Sequence, residues 1–102
     1  MLSRLKDRHL TATATLFPSD EIVTVDTAAG NVTLTLPGAA GCRGLQLSVK
    51  RLSAGGNTLT VAAAGSDLID GAGTALLPSQ YDVVTLVAAL TVSPNSYGWV
   101  LL

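Results

Sequence analysis

Charge is scarce in this chain. Asp, Glu, Lys and Arg make up 13% of its 102 residues, about half the share of a typical soluble domain. A folded monomer of 10.4 kDa exposes roughly 5,400 Å². Spread over six basic and seven acidic residues, that surface carries roughly one charge per 400 Å², and uncharged patches of that size mark contact surfaces. The deficit therefore predicts association, without fixing its stoichiometry. The net charge of −1 leaves no basic face for phosphates, and the weak cluster Arg4, Lys6 and Arg8 does not supply one, so nucleic acid is excluded as a partner.

Cysteine and histidine are almost absent. Cys42 stands alone, so no intrachain disulfide forms. With His9 the single histidine, there is no zinc-ligand spacing and no Cys/His pair for nucleophilic catalysis. Arg43 would favour a thiolate at Cys42, but with no base to complete the pair the thiol reads as inert packing. The glycines are spread over turns and form no phosphate-cradling motif. Asp67 and Asp70 lie beside Gly71, but two carboxylates fall short of a calcium loop and read as turn formers. Asn31-Val32-Thr33 matches a glycosylation sequon by chance. No catalytic residue, metal site or cofactor is expected, and the chain is not expected to be an enzyme.

Long apolar runs are also missing. The first ten residues lack the apolar stretch of a secretory signal. The one long charge-free segment, Val83 to Leu102, is interrupted by Ser93-Pro94-Asn95-Ser96, a turn signal, which excludes a membrane-spanning helix there. Aromatics are only 4%. Tyr81, Tyr97 and Trp99 all fall near the C-terminus, either as an interface or ligand platform or, more simply, as core, with Tyr97, Trp99 and Leu101 sharing one face.

What is present is Val, Leu, Ile, Ala and Thr in short alternating runs. Leu2, Leu5 and His9 recur at helical spacing, so residues 1–10 read as at most two or three helical turns. Residues 11–16 then read as an extended arm, closed by Phe17-Pro18-Ser19-Asp20. Strands are expected at 21–26, 31–36, 45–52, 58–62, 74–77, 81–89 and 97–102. In the third of these Leu45, Leu47 and Val49 should face inward. The stretch 81–89 is apolar enough to be buried. Ser53 to Asn57, with two glycines, reads as a hairpin loop. The likeness of Asn31–Leu36 to Asn57–Val61 reads as two strands obeying one alternation rather than a repeat. The expected fold is all-β: a small antiparallel β-sandwich or barrel-like module at 20–102 behind an N-terminal arm at 1–19.

The order of these motifs carries a resemblance over residues 20–102. Val25-Asp26-Thr27 is followed by Val32-Thr33-Leu34-Thr35-Leu36-Pro37 and by Gly44-Leu45-Gln46-Leu47-Ser48-Val49-Lys50. Then come Asn57-Thr58-Leu59-Thr60-Val61, Asp67-Leu68-Ile69-Asp70-Gly71, Tyr81-Asp82-Val83-Val84-Thr85-Leu86-Val87 and Trp99-Val100-Leu101. This resembles the small β-rich module of tailed-bacteriophage virion proteins, in tail fibres and capsid-associated head proteins. The resemblance implies a homotrimer with apolar strands toward a three-fold axis and a place in the virion. Because the module opens on its own Met1 after only a short arm, it is expected to be a capsid decoration (cement) protein. The arm would then contact the major capsid protein or other virion proteins through Leu2, Leu5, Leu10 and Phe17. The alternative is a tail-fibre or receptor-binding module that recognises a host surface glycan through Tyr97, Trp99 and the loop at 53–57.

Overall fold

Apolar residues that alternate with threonine, serine or lysine suit a pleated strand buried on one side, and the chain uses this pattern repeatedly. The computed structural model describes residues 6–91 and 96–102. Among them the strands are β1 (Asp7–Leu10), β2 (Ala14–Thr15), β3 (Ile22–Val25), β4 (Val32–Thr35), β5 (Gln46–Arg51), β6 (Leu59–Ala62), β7 (Thr74–Leu76), β8 (Val83–Leu90) and β9 (Tyr97–Leu101), with one 3-10 turn at Ala39–Gly41. The all-β expectation holds. The turn expected at 93–96 lies largely outside the described residues.

The strands form two mixed sheets, in the orders β1-β3-β5-β8-β9 and β2-β4-β6-β7. The pairing corrects the antiparallel expectation. Up to β6 each strand belongs to the opposite sheet from the one before it, so the chain winds through both sheets as a coil. Pairs β1–β3, β3–β5, β2–β4 and β4–β6 are therefore parallel. Parallel neighbours need a crossover connection, and here the strand in the other sheet supplies it. The antiparallel pairs are β5–β8, β6–β7 and β8–β9.

One further expectation changes for the same reason: residues 53–57 do not form a hairpin, since β5 and β6 lie in different sheets. The runs Asn31–Leu36 and Asn57–Val61, alike in their alternation, hold neighbouring parallel strands: Val32, Thr33 and Leu34 stand beside Leu59, Thr60 and Val61. The asparagines that open the two runs act at the same corner. Asn31 Oδ1 accepts from the Thr58 amide at 2.8 Å, and Asn57 Nδ2 donates to the Thr27 carbonyl at 2.7 Å.

The core lies between the inner rows of the two sheets. Val23, Val25, Leu47, Val49, Leu86, Ala88 and Trp99 come from the first sheet, and Val32, Leu34, Leu59 and Val61 from the second. Leu47 and Val49 face inward as expected, whereas Leu45 precedes the strand and is partly exposed. Residues 7–10 are not helical. They form β1, edge strand of the five-stranded sheet, with Asp7 and His9 on its solvent side and Arg8 and Leu10 on its inner side. Leu16, from the stretch read as an arm, is 1% exposed and part of the core.

At the far end the outer edge of β9 is covered by residues 68–70. The Trp99 amide donates to the Leu68 carbonyl at 2.9 Å, and the Asp70 amide donates to the Trp99 carbonyl at 2.9 Å. Asp70 and Gly71 turn the chain with φ of 47° and 83°, which a left-handed Asp-Gly pair tolerates. This close approach fixes Gly98, where a Cβ would lie 2.9 Å from Thr91 Cγ2 and 3.0 Å from the Leu68 carbonyl oxygen. Gly98→Ala should cost about 1–3 kcal/mol through overpacking. Thermal denaturation checks this, and an unchanged melting temperature would show that the segment yields.

Candidate assembly surface

Strand β8 reads Val-Val-Thr-Leu-Val-Ala-Ala-Leu. Its inner residues Leu86 and Ala88 are buried, and Val84 packs on the same core. The opposite face is just as apolar, with Val83, Thr85, Val87 and Ala89. On β9, Val100 stands beside Val87, and beyond that strand the Leu102 amide donates to the Thr85 carbonyl at 2.9 Å. A strand apolar on both faces is normally covered on both. Here Val83 is 55% and Leu102 76% exposed, so the expectation that 81–89 is wholly buried is corrected: one face of β8 is core and the other is open.

On the β5 side the patch is framed by polar groups. Gln46 stands opposite Val87, Ser48 opposite Thr85 and Lys50 opposite Val83. The Ser48 and Thr85 hydroxyls meet at 2.9 Å. Lys50 Nζ lies 5.8 Å above the Tyr81 ring, close enough for a cation–π contact. Lys50 is the one charge on this side of β5, β8 and β9, and its ammonium sits over a phenol at the rim. The outer face of the second sheet differs in kind: Thr15, Thr33, Thr35, Thr60 and Thr74 present hydroxyls to solvent, with Ala62 and Leu76 among them.

The residues singled out from sequence do not form one site. Trp99 is 1% exposed, and its Nε1 donates to the Pro37 carbonyl at 3.3 Å. It plugs the core, in line with the simpler of the two readings, and so is not part of an exposed platform; this follows from its place on the inner face of β9, opposite Ala88. Tyr97 packs partly against that core on the same face. Tyr81 is exposed, at the rim of the β8 face. Leu2 and Leu5 lie outside the described residues. Leu10 is half-buried, while Phe17 is 54% exposed. Beside Phe17, the Arg8 guanidinium sits 4.7 Å from the ring centroid and 3.1 Å from Asp20 Oδ2. Asp20 Oδ2 also accepts from the Phe17 amide at 2.8 Å. Phe17 is thus a fixed apolar projection and not a loose one.

No nucleophile emerges from the two rare residues. Cys42 is buried, and burial pushes its thiol up, away from the thiolate that Arg43 would favour. His9 is exposed on β1, with Nδ1 2.9 Å from Thr24 Oγ1. Among the described residues, no three His, Cys, Asp or Glu side chains converge as metal ligands would.

One group escaped the sequence reading altogether. Arg51 is 1% exposed and faces inward in the row of Leu47 and Val49. All five guanidinium N–H bonds meet backbone carbonyls. Nε donates to Ser53 at 2.9 Å, Nη1 to Leu77 and Pro78 at 3.0 and 3.4 Å, and Nη2 to Gly55 and Asn57 at 3.1 and 2.7 Å. With every donor occupied, none is left for an anionic ligand. Arg51 is therefore a tie between two loops and not a binding residue. The open β8 face was likewise missed as a surface, although its signal, apolar residues at both parities, stood in the sequence. No family profile and no curated protein matches this chain.

Proposed function

We propose that the protein is a non-enzymatic structural component of a bacteriophage virion, a homotrimeric decoration protein of the head shell. The observation that carries this reading is the second apolar face of β8, continued by Val100 and Leu102 and left uncovered within one chain. A charge-free face favours a partner with the same character, and three copies meeting on it would bury the apolar strands toward a common axis. The flat shape of the chain, 40 × 38 × 20 Å, suits this packing. Its 5903 Å² of exposed surface exceeds the roughly 5,400 Å² of a compact monomer of this mass. Phe17, held by Arg8 and Asp20 at the opposite edge of the sheet, is the described group best placed to touch the shell. Burial of Trp99 takes that one ring out of the glycan reading.

Light scattering behind a sizing column should return three times the 10.4 kDa of one chain. Val87→Lys should return a single chain with its melting temperature nearly unchanged, because the residue is partly exposed in the monomer and a buried lysine at a seam is unfavourable by several kcal/mol. Thr33→Lys, on the outer face of the other sheet, should leave the mass at three. A wild-type monomer, or a Val87→Lys protein that remains a trimer, would overturn the seam. Co-sedimentation with head shells tests the decoration role separately.

A further inference from the structure

A hollow of about 470 Å³ opens beside the corner at 66–71, where the segment covering β9 leaves the second sheet. It is lined by Tyr97 and the exposed Leu68 together with Asp67, Ser66, Thr91 and Ser96. Gly71 separates it from a second hollow of about 320 Å³, lined by Asp70, Leu90 and Val100 among others. Gly71 lines both hollows, and an ideal Cβ there would meet nothing within 4 Å. The volume lies in the range of small-ligand sites, about 300–1,000 Å³.

The polar groups are held in place. Asp67 Oδ2 accepts from the Ala39 amide at 2.8 Å, and the Asp67 amide donates to the Ala64 carbonyl at 2.9 Å, which fixes the carboxylate, while Oδ1 takes no donor among the described residues. The Asp70 carboxylate on the adjoining wall accepts from the Leu101 amide at 3.2 Å. The hollow therefore brings together an aspartate, two serines, a threonine and a tyrosine packed against the core. A ligand with several vicinal hydroxyls and one apolar C–H face matches each of these. Two carboxylates, with no Lys, Arg or His among the described lining residues, disfavour anionic ligands.

We propose that this hollow binds a neutral pyranose sugar, with the C–H face of the ring against Tyr97 and Leu68 and its hydroxyls donating to Asp67. The first hollow uses no residue of the outer face of β8 and β9, and only the adjoining one reaches Val100 of that face, so the sugar site stands whether or not the trimer does. A shallow site of this kind holds a single sugar weakly, with Kd of order 1 mM. Three copies in one assembly would raise avidity by about 10²-fold or more.

Amide-resolved NMR titration of the full chain with the methyl glycosides of glucose, galactose and mannose tests the proposal. At least one should shift Ser66, Asp67, Leu68, Gly71, Thr91 and Tyr97 in a saturable manner. Asp67→Asn keeps an acceptor for the Ala39 amide but replaces Oδ1 with a donor, and should weaken that binding about 10-fold. Val87→Lys should leave it unchanged, which separates this site from the seam. Absence of saturable shifts with all three glycosides would overturn the proposal. So would shifts centred elsewhere, an Asp67→Asn protein that binds as wild type, or equal binding of a sialoside.

Discussion

Arg51→Met is expected to lower the stability of the chain by about 3–5 kcal/mol, the cost of removing one side of a buried charged network. A domain of this size has roughly 5–15 kcal/mol in total, so the melting temperature should fall by more than about 10 °C. The reason lies in what surrounds the guanidinium. Arg51 occupies the inner-row position that Val25 fills in the neighbouring strand, so a charge sits where the winding otherwise puts a methyl group. It has no carboxylate partner: the one ion pair among the described residues is Arg8–Asp20. Five carbonyl dipoles take that role, from Ser53, Gly55 and Asn57 on one loop and from Leu77 and Pro78 on another. Methionine preserves much of the stem volume and satisfies none of them. The loss propagates, because Asn57 also holds the Thr27 carbonyl and Ser53 Oγ accepts from the Thr27 amide at 2.8 Å. Arg51→Lys keeps the charge but offers three donors in place of five and should fall between wild type and Met. Amide exchange in 53–57 and 77–78 should accelerate ahead of β5 itself. A methionine variant within about 1 kcal/mol of wild type would show that water replaces the guanidinium at these carbonyls.

Arg51 also shows how far the sequence could be read. Alternation along Leu47, Val49 and Arg51 places all three on one face, so the inward arginine was legible by parity. What hid it was the habit of ending an apolar row at the first charge, and no local pattern announces a cage built from loops distant in the chain. The strands themselves were legible, since β3 to β9 fall within the alternating or apolar runs. Their pairing was not. A period of two is the same in a hairpin and in a parallel winding, and the glycines at 55 and 56 mark a change of direction without saying into which sheet the chain turns. At the candidate surface, the apolar run of β8 implied burial on both sides, but only the fold separates the side filled by the core from the side left open. Trp99 followed its parity with Tyr97 and Leu101 into the interior, as the simpler core reading has it, and so leaves the group of aromatics read as an exposed platform. The hollow at Asp67 and Tyr97 joins residues far apart in sequence and had no local signature beyond its Asp-Gly turn.

Deleting residues 1–16 is expected to destabilise the whole fold, and not merely to release an arm. The segment carries β1 and β2, which form the outer strand of each sheet at this end. It also carries Leu16, whose amide donates to the Thr35 carbonyl at 2.7 Å and whose side chain is in the core. Loss of a buried leucine alone costs about 2–5 kcal/mol; with Leu10 and the parallel ladders to β3 and β4 also gone, the deletion should approach the total stability of the domain. The exposed remainder would be hazardous as well. β1 shields the edge of Ile22-Val23-Thr24-Val25 with Asp7, Arg8 and His9, the kind of charged border that keeps a sheet from pairing with other chains. Stripped of it, β3 presents an uncharged, β-branched edge, and the truncated protein should aggregate at concentrations where the full chain is monodisperse. Leu16→Ala isolates the core term: it should melt lower by about 8 °C or more without aggregating, because β1 remains in place. Circular dichroism melts and light scattering on the two variants separate burial from edge protection. A truncated protein that melts within a few degrees of wild type would mean that the first turn of the winding is ornamental, and the arm would again be a free ligand for the shell.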